Sequence, residues 1–382
     1  MVRFRYPKAR VSLAIGILLF LVFSPILIWY TLPKRPLHIV VVDKTVPLDN
    51  YREHSTLFWI FKHLKYVDPS DFHFYEREHD YYGYFPQDGT VSDSTAMGLD
   101  HADLLYLADT YGIYRDHNRE TVPDPAPDDT IPLSLVYGGI NQRELEQIRD
   151  FASSGGTLIG EFNCLAHPTS APVRSSLEQL FGIHTTGIVG NYFERLQDVP
   201  LWIKQRHREQ LQHTWQYSGS GIVLASERES SRGMLVVLDG SDISGAPVLH
   251  PVDGHPLLED VADNVPYFYQ FEIIAPDTTS TVLASFALRC KASGSEKLRR
   301  AGLPERFPAV VSRGSGIHSF YFAGDFADNE VETALTQVWN NEIVLRQIYY
   351  LYFVSDQTRF FWRFYLPLMK NILAAEYRRH SG

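Results

Sequence analysis

From Val11 to Leu32 the chain carries no Asp, Glu, Lys, Arg or His, and almost every position is apolar. A run of about 20 such residues crosses roughly 30 Å of hydrocarbon as a helix. No charged face marks it as a buried core helix. Arg3, Arg5, Lys8 and Arg10 precede the run, only Lys34 and Arg35 follow closely, and Trp29 and Tyr30 sit at its far end. The excess of cations before it predicts a single-pass anchor in the cytoplasmic (inner) membrane. The N-terminus is then inside, the remainder outside the cytoplasm, and the aromatic rings lie at the headgroup layer. A cleaved leader is the competing reading, but it has a shorter apolar core and a small-residue cleavage site. Trp29–Lys34 offers no such site.

Beyond a stiff spacer at 33–36, the pattern changes to short apolar runs separated by helical periodicity. Leu37–Val42, Asp103–Leu107 and Thr157–Phe162 are compact and rich in β-branched or aromatic residues, as strands covered on both faces require. Between them, Leu57, Ile60, Phe61 and Leu64 share one helical face within Arg52–Leu64. Leu145, Ile148 and Phe151 share another in a helix that starts at Asn141 and stops at Ser153-Ser154-Gly155-Gly156. Val173–Phe181 reads as a further helix closed by Gly182. This alternation predicts an α/β fold with a mostly parallel, flavodoxin-like sheet flanked by helices.

The second half predicts β-rich additions at Ile222–Ala225, Met234–Leu238, Gln270–Ile274, Thr281–Leu288, Ala309–Ser312 and His318–Phe322. Three segments read as loops: the aromatic stretch between Tyr66 and Gly98, the stretch with Pro123, Pro125, Pro127 and Pro132, and the surface crossing at 240–266. From Glu332 the chain reads as helical again. Asp356, Arg359 and Arg363 exclude a second membrane crossing there, leaving a packed or an interfacial helix. The organisation expected is a basic tail at 1–10, an anchor at 11–32, a linker at 33–36, an α/β domain at 37–330 and a helical segment at 331–382.

The formal charge is −10, and without the four cations of the tail it is −14. So acidic a body excludes nucleic acid as a natural partner, because such affinity rests on neutralising phosphates. The two cysteines, Cys164 and Cys290, make no disulfide framework, and their spacing leaves open whether they pair.

Three pieces carry a family resemblance: Leu145–Phe162 with Gly155-Gly156-Thr157 inside it, Ser175–Ile183 (SSLEQLFGI), and Pro308–Val310 with His318–Asp325 (HSFYFAGD). Over roughly 37–325 they resemble the class I glutamine-amidotransferase-like superfamily, especially branches such as the trimerisation domain of certain β-galactosidases. Active members carry a G-x-C-x-G turn after a strand; here Phe162 and Ala166 stand where glycines would flank Cys164. At the position of their His-x-Glu, this chain reads Ala323-Gly324-Asp325. The resemblance therefore implies the fold with a degenerate catalytic motif.

In a parallel sheet, ligands bind beyond the carboxyl ends of the strands. Asp43, Lys44, Asp109, Tyr111, Glu161 and Asn163 stand at such ends and form the candidate ligand site, with sugar hydroxyls as one fitting ligand. A cation, Lys44 or Arg52, is expected beside the acids. The bland alternative is that Asp43 and Asp109 cap following loops or helices while Lys44 neutralises a carboxylate. Cys164 with His167 is the candidate nucleophile and base, against a small buried thiol. The pairs Asp325 with Asp328 and Glu76 with Glu78 suit glycoside hydrolysis only as any acidic chain does.

His63, His73, His79, His101 and His117 lack metal-binding spacing, and no phosphate-binding glycine loop occurs. Neither a metal nor another cofactor is expected. The expectation is a non-catalytic binding or assembly component of the cell envelope, with a glycan, a surface polysaccharide system or an envelope protein as partner. The alternative is an envelope hydrolase of glycan or amide bonds.

Overall fold

A computed structural model describes residues 8–114, 135–226, 233–314, 318–328, 334–340, 342, 344, 345, 347 and 358–381. Arg3, Arg5, His117, the four loop prolines, Glu332 and Asp356 lie outside the described residues.

Three strands form the centre: Ile39–Asp43 (β1), Leu104–Asp109 (β4) and Thr157–Glu161 (β5), separated in sequence by Tyr82–Phe85 (β2) and Thr90–Val91 (β3). β4 and β5 are buried at every position and β1 at all but one, which explains their uninterrupted apolar sequences. The second half adds Ile183–Phe193 (β6), Gly221–Ser226 (β7), Leu235–Leu238 (β8), Val248–Pro251 (β9), Val265–Pro266 (β10), Phe271–Pro276 (β11), Ser280–Ala287 (β12), Arg306–Arg313 (β13) and His318–Phe322 (β14).

The main sheet has ten strands in the order β10-β9-β12-β13-β14-β5-β4-β1-β2-β3. It is parallel from β14 through β5, β4 and β1 to β2, and antiparallel in both wings. The fold is therefore α/β with a mixed sheet. A second sheet, β8-β7-β6-β11, is antiparallel throughout. The segment 240–266 corrects one expectation. Instead of looping across the surface it supplies β9 and β10, because its polar residues fall at the wing of the sheet while Val248, Leu249 and Val265 are buried. The stretch after Tyr66 also supplies the short β2 and β3, with Tyr75, Tyr81 and Tyr82 buried.

Helix α1 (Lys8–Thr31) precedes the sheet, and α2 (Arg52–His63), α3 (Gln142–Ser153) and α4 (Ala171–Phe181) follow its central strands. Asn141 caps α3: its side chain accepts from the Glu144 amide while Glu144 reaches back to the Asn141 amide. Gly182 ends α4 at φ 68, a left-handed conformation that suits glycine. Two helices had no clear sequence signal, α5 (Leu201–Leu211) and α6 (Ala292–Ala301). Each buries few apolar side chains, so little periodicity marks them.

The C-terminal segment comprises α7 (Ala334–Val338), a short helical lead at Thr358–Phe360, a π turn at Phe361–Tyr365 and α8 (Leu366–Ser381). It settles the choice between packed and interfacial in favour of packing. Phe360, Phe361, Phe364, Tyr365, Leu368 and Met369 are fully buried, and the Tyr365 hydroxyl meets that of Tyr106 on β4 at 2.9 Å. This segment and α2 cover one face of the sheet, with Trp59 edge-on to Phe361 and Trp362. On the other face, Phe181 of α4 packs against Tyr321.

Among the described residues no helix is long and apolar enough to cross a membrane. The side chains of residues 8–11, 18, 21 and 22 within α1 are outside that description. Those of Leu13, Ile15, Ile17, Leu19, Phe20 and Phe23 are exposed.

Candidate functional site

Parallel strands bring their carboxyl ends to one edge of a sheet, and here β1, β4 and β5 deliver Asp43, Asp109 and Glu161. All three are buried, so each needs partners, and each has them. Asp43 accepts from the Thr45 amide at 2.9 Å, and its other oxygen lies 2.6 Å from His54 Nδ1 on α2. His54 Nε2 faces the Arg77 carbonyl at 2.9 Å. A carbonyl only accepts, so Nε2 carries a proton.

Asp109 accepts from the Thr45 hydroxyl at 2.6 Å, the Tyr111 amide at 2.6 Å and the Asn163 side-chain amide at 3.0 Å. Burial, and then the charge of Asp43, push its carboxyl up to about 7 against the pull of those hydrogen bonds. Glu161 accepts from the amides of Phe326 and Ala327 at 2.8 and 3.0 Å, so it pins the loop after β14. Burial first, and Asp325 second, raise its carboxyl well above the ordinary range.

Lys44 follows Asp43, but its side chain turns away from the acids. Its ammonium donates to the Gly139 carbonyl and to both carboxylate oxygens of Glu144 at 2.7–2.8 Å. Glu144 accepts in addition from the Tyr82 hydroxyl. The Tyr111 ring lies tilted against Tyr114, 5.1 Å between centroids. The strand-end residues are thus brought together, yet they face inward and tie loops to strands.

A further group of acids gathers beside them, one the sequence did not single out as a set of three. Glu53 on α2 meets Asp325 and Asp328 from the loop after β14, each offering an oxygen within 4.8 Å of the others. Arg52 grips Asp328 with two guanidinium nitrogens, and the Thr56 hydroxyl donates to the Ala327 carbonyl. Burial, and after it Asp328, hold both Glu53 and Asp325 well above the ordinary carboxylate range. Such a trio is chemically able to hold a hard divalent cation. Glu53 lies more than two hundred positions from Asp325 and Asp328, so spacing pairs the last two but does not announce the first.

Cys164 does not join these acids. A Cβ at Gly160 would come within 3.0 Å of its sulfur and closer still to Phe181, which places the thiol under β5 on the α4 side. It is fully buried, and burial, then Glu272, Glu161 and Asp109, push the thiol well above its usual range. His167 is exposed, beside a cis peptide to Pro168. Among the described residues no hydrogen bond joins the Cys164 thiol to a base. Cys164 and Cys290 are unbridged. The residue of this turn with positive φ is Asn163, at 71°.

No protein-family model matches the chain, and neither does any curated protein. Among solved structures it is similar to a ThuA-like protein from Bacteroides uniformis ATCC 8492, at 12% identity and TM-score 0.39, over 81% of this chain and 90% of that one. It is also similar to a ThuA-like protein from Parabacteroides merdae ATCC 43184, at 10% identity and TM-score 0.36, over 76% and 79%. A catalytic mutant of Gan42B, a GH42 β-galactosidase from G. stearothermophilus, aligns at 10% identity and TM-score 0.33, over 82% of this chain and 30% of that one.

Proposed function

We propose that this chain is a membrane-anchored, extracytoplasmic protein whose amidotransferase-like α/β domain serves binding or assembly at the cell envelope rather than catalysis. A glycan, as in a surface polysaccharide system, or another envelope protein is its partner. One observation carries the non-catalytic part of this reading: the Cys164 thiol is buried beneath the sheet, with burial and three carboxylates disfavouring the thiolate. Thiol catalysis needs a base within reach and a group to orient it. The anchor is supported by the charge-free run from Val11 to Leu32 behind four cations.

An envelope hydrolase is the second reading, favoured by the neighbouring carboxyls Glu53 and Asp325, which burial and then Asp328 raise above the ordinary carboxylate range. Such groups suit general acid work.

Topology and chemistry are tested together. In a Cys290→Ser background, Ser218→Cys should react with an impermeant maleimide in intact cells whose outer barrier admits it. Labelling only after lysis would reverse the orientation. Cells lacking the chain should regain normal envelope polysaccharide when given Cys164→Ala or Glu53→Gln. Failure of folded Glu53→Gln, with Cys164→Ala restoring function, would promote the carboxylate hydrolase.

A further inference from the structure

The last turn of α1 is fastened to the end of the sheet opposite the carboxylates. Trp29 is 3% exposed, and its indole donates to the His63 carbonyl at 2.9 Å. The Lys65 ammonium stands 4.0 Å over its ring, and Phe74 stacks on it at 5.8 Å. Arg35–Pro36 then pairs with Tyr66–Val67 before β1 begins. The helix exit is therefore rigid relative to the domain.

Around this exit lie exposed apolar groups and unmatched cations. Tyr30 is 67% exposed and Phe72 50%. The Lys34 ammonium donates to the Phe72 carbonyl at 2.6 Å and lies 4.9 Å from the Phe74 ring. Arg35 lies over the Tyr66 ring at 5.8 Å, and Arg378 of α8 acts on the same tyrosine. The neighbouring acids are engaged elsewhere: Asp71 and Asp80 with His73, Glu376 with Arg379, and Asp103 with His380. Lys34, Arg35 and Arg378 are left without an ion-pair partner among the described residues.

We propose that this face docks on anionic lipid headgroups, with Lys34, Arg35 and Arg378 meeting phosphates while Tyr30 and Phe72 enter the interfacial layer. The inference rests on the reading of α1 as an anchor. Cations close to a charged bilayer each gain about fivefold in local partition, and aromatic rings favour the headgroup zone. A helix emerging beside such a patch holds it at the membrane surface continuously. The strands of five or six residues then rise roughly 17–20 Å from this face to the strand-end acids. The acids then lie on the side of the sheet away from the membrane.

The test uses the full-length protein in nanodiscs of phosphatidylcholine alone or with phosphatidylglycerol, read by hydrogen exchange at residues 66–74. Exchange there should slow at least about fivefold in the anionic discs. The slowing should vanish in K34Q/R35Q/R378Q, with exchange in β4 and β5 unchanged. Phe72→Ser should lose part of it. A chain that enters discs but exchanges equally in both lipids overturns the docking surface and leaves the anchor standing. A chain that enters neither overturns the anchor and this inference with it.

Discussion

Lys44 and Glu144, a hundred positions apart, close on each other in the interior with Nζ 2.7 Å from Oε1 and 2.8 Å from Oε2. The pair ties the end of β1 to the first turn of α3, where Glu144 also completes the capping box. Burial lowers the Lys44 pKa and Glu144 raises it. With two carboxylate oxygens and the Gly139 carbonyl as acceptors, every ammonium proton has a partner.

Removing one member of a buried pair strands the other charge, at a cost of about 3–5 kcal/mol. Lys44→Met should lower the unfolding free energy in urea by that amount. Lys44→Met with Glu144→Gln should lose less than the two single changes added together. A Lys44→Met protein within about 1 kcal/mol of the parent would show that the pair does not hold this wall.

Stability should fall as pH rises from about 4 through about 7. Asp109, pushed up to about 7 by burial and Asp43, binds its proton more tightly folded than in an unfolded chain, where aspartate titrates near 3.9. The stability this gives is complete below about pH 4 and is lost as pH rises through about 7. Glu161, Glu53 and Asp325 are raised in the same direction, each by burial first. Glu342 acts oppositely: burial raises it, but His63 and Lys370 prevail and leave it at about 2. Its contribution is lost as pH falls from about 4.5 toward 2. Calorimetry should give the highest Tm on the mildly acidic side, falling by several degrees from about pH 6 to 8. Asp109→Asn should flatten that decline, and an equally steep decline in the variant would remove Asp109 as its source.

The turn after β5 should be sensitive at Asn163 and tolerant at Cys164. Asn163 holds φ 71 and donates to Asp109. Asn163→Gly keeps the backbone and loses the bond, whereas Asn163→Ala loses both, so alanine should be the worse by roughly 1 kcal/mol. Cys164→Ala should cost about 1 kcal/mol, and the native thiol should resist iodoacetamide until the protein unfolds. Rapid alkylation of Cys164 in the folded protein would contradict its placement.

What could be read from the chain alone were features fixed by near neighbours. The runs Leu37–Val42 and Thr157–Phe162 are apolar because both faces of those strands are covered. Asn141 and Gly182 announce helix ends because capping depends on residues within a turn. Where those local signals are diluted, as in β6 with Gly187, Gly190 and Asn191, the element was not legible. Strand ends also indicated where acids would gather, since parallel strands share a direction. What those acids do was decided by partners the spacing does not contain. His54 takes Asp43, Glu144 draws Lys44 away, and the loop after β14 places Asp325 and Asp328 beside Glu53. Strand order sets these meetings, and burial makes each of them obligatory, because a carboxylate withdrawn from water must find a donor wherever the fold brings one.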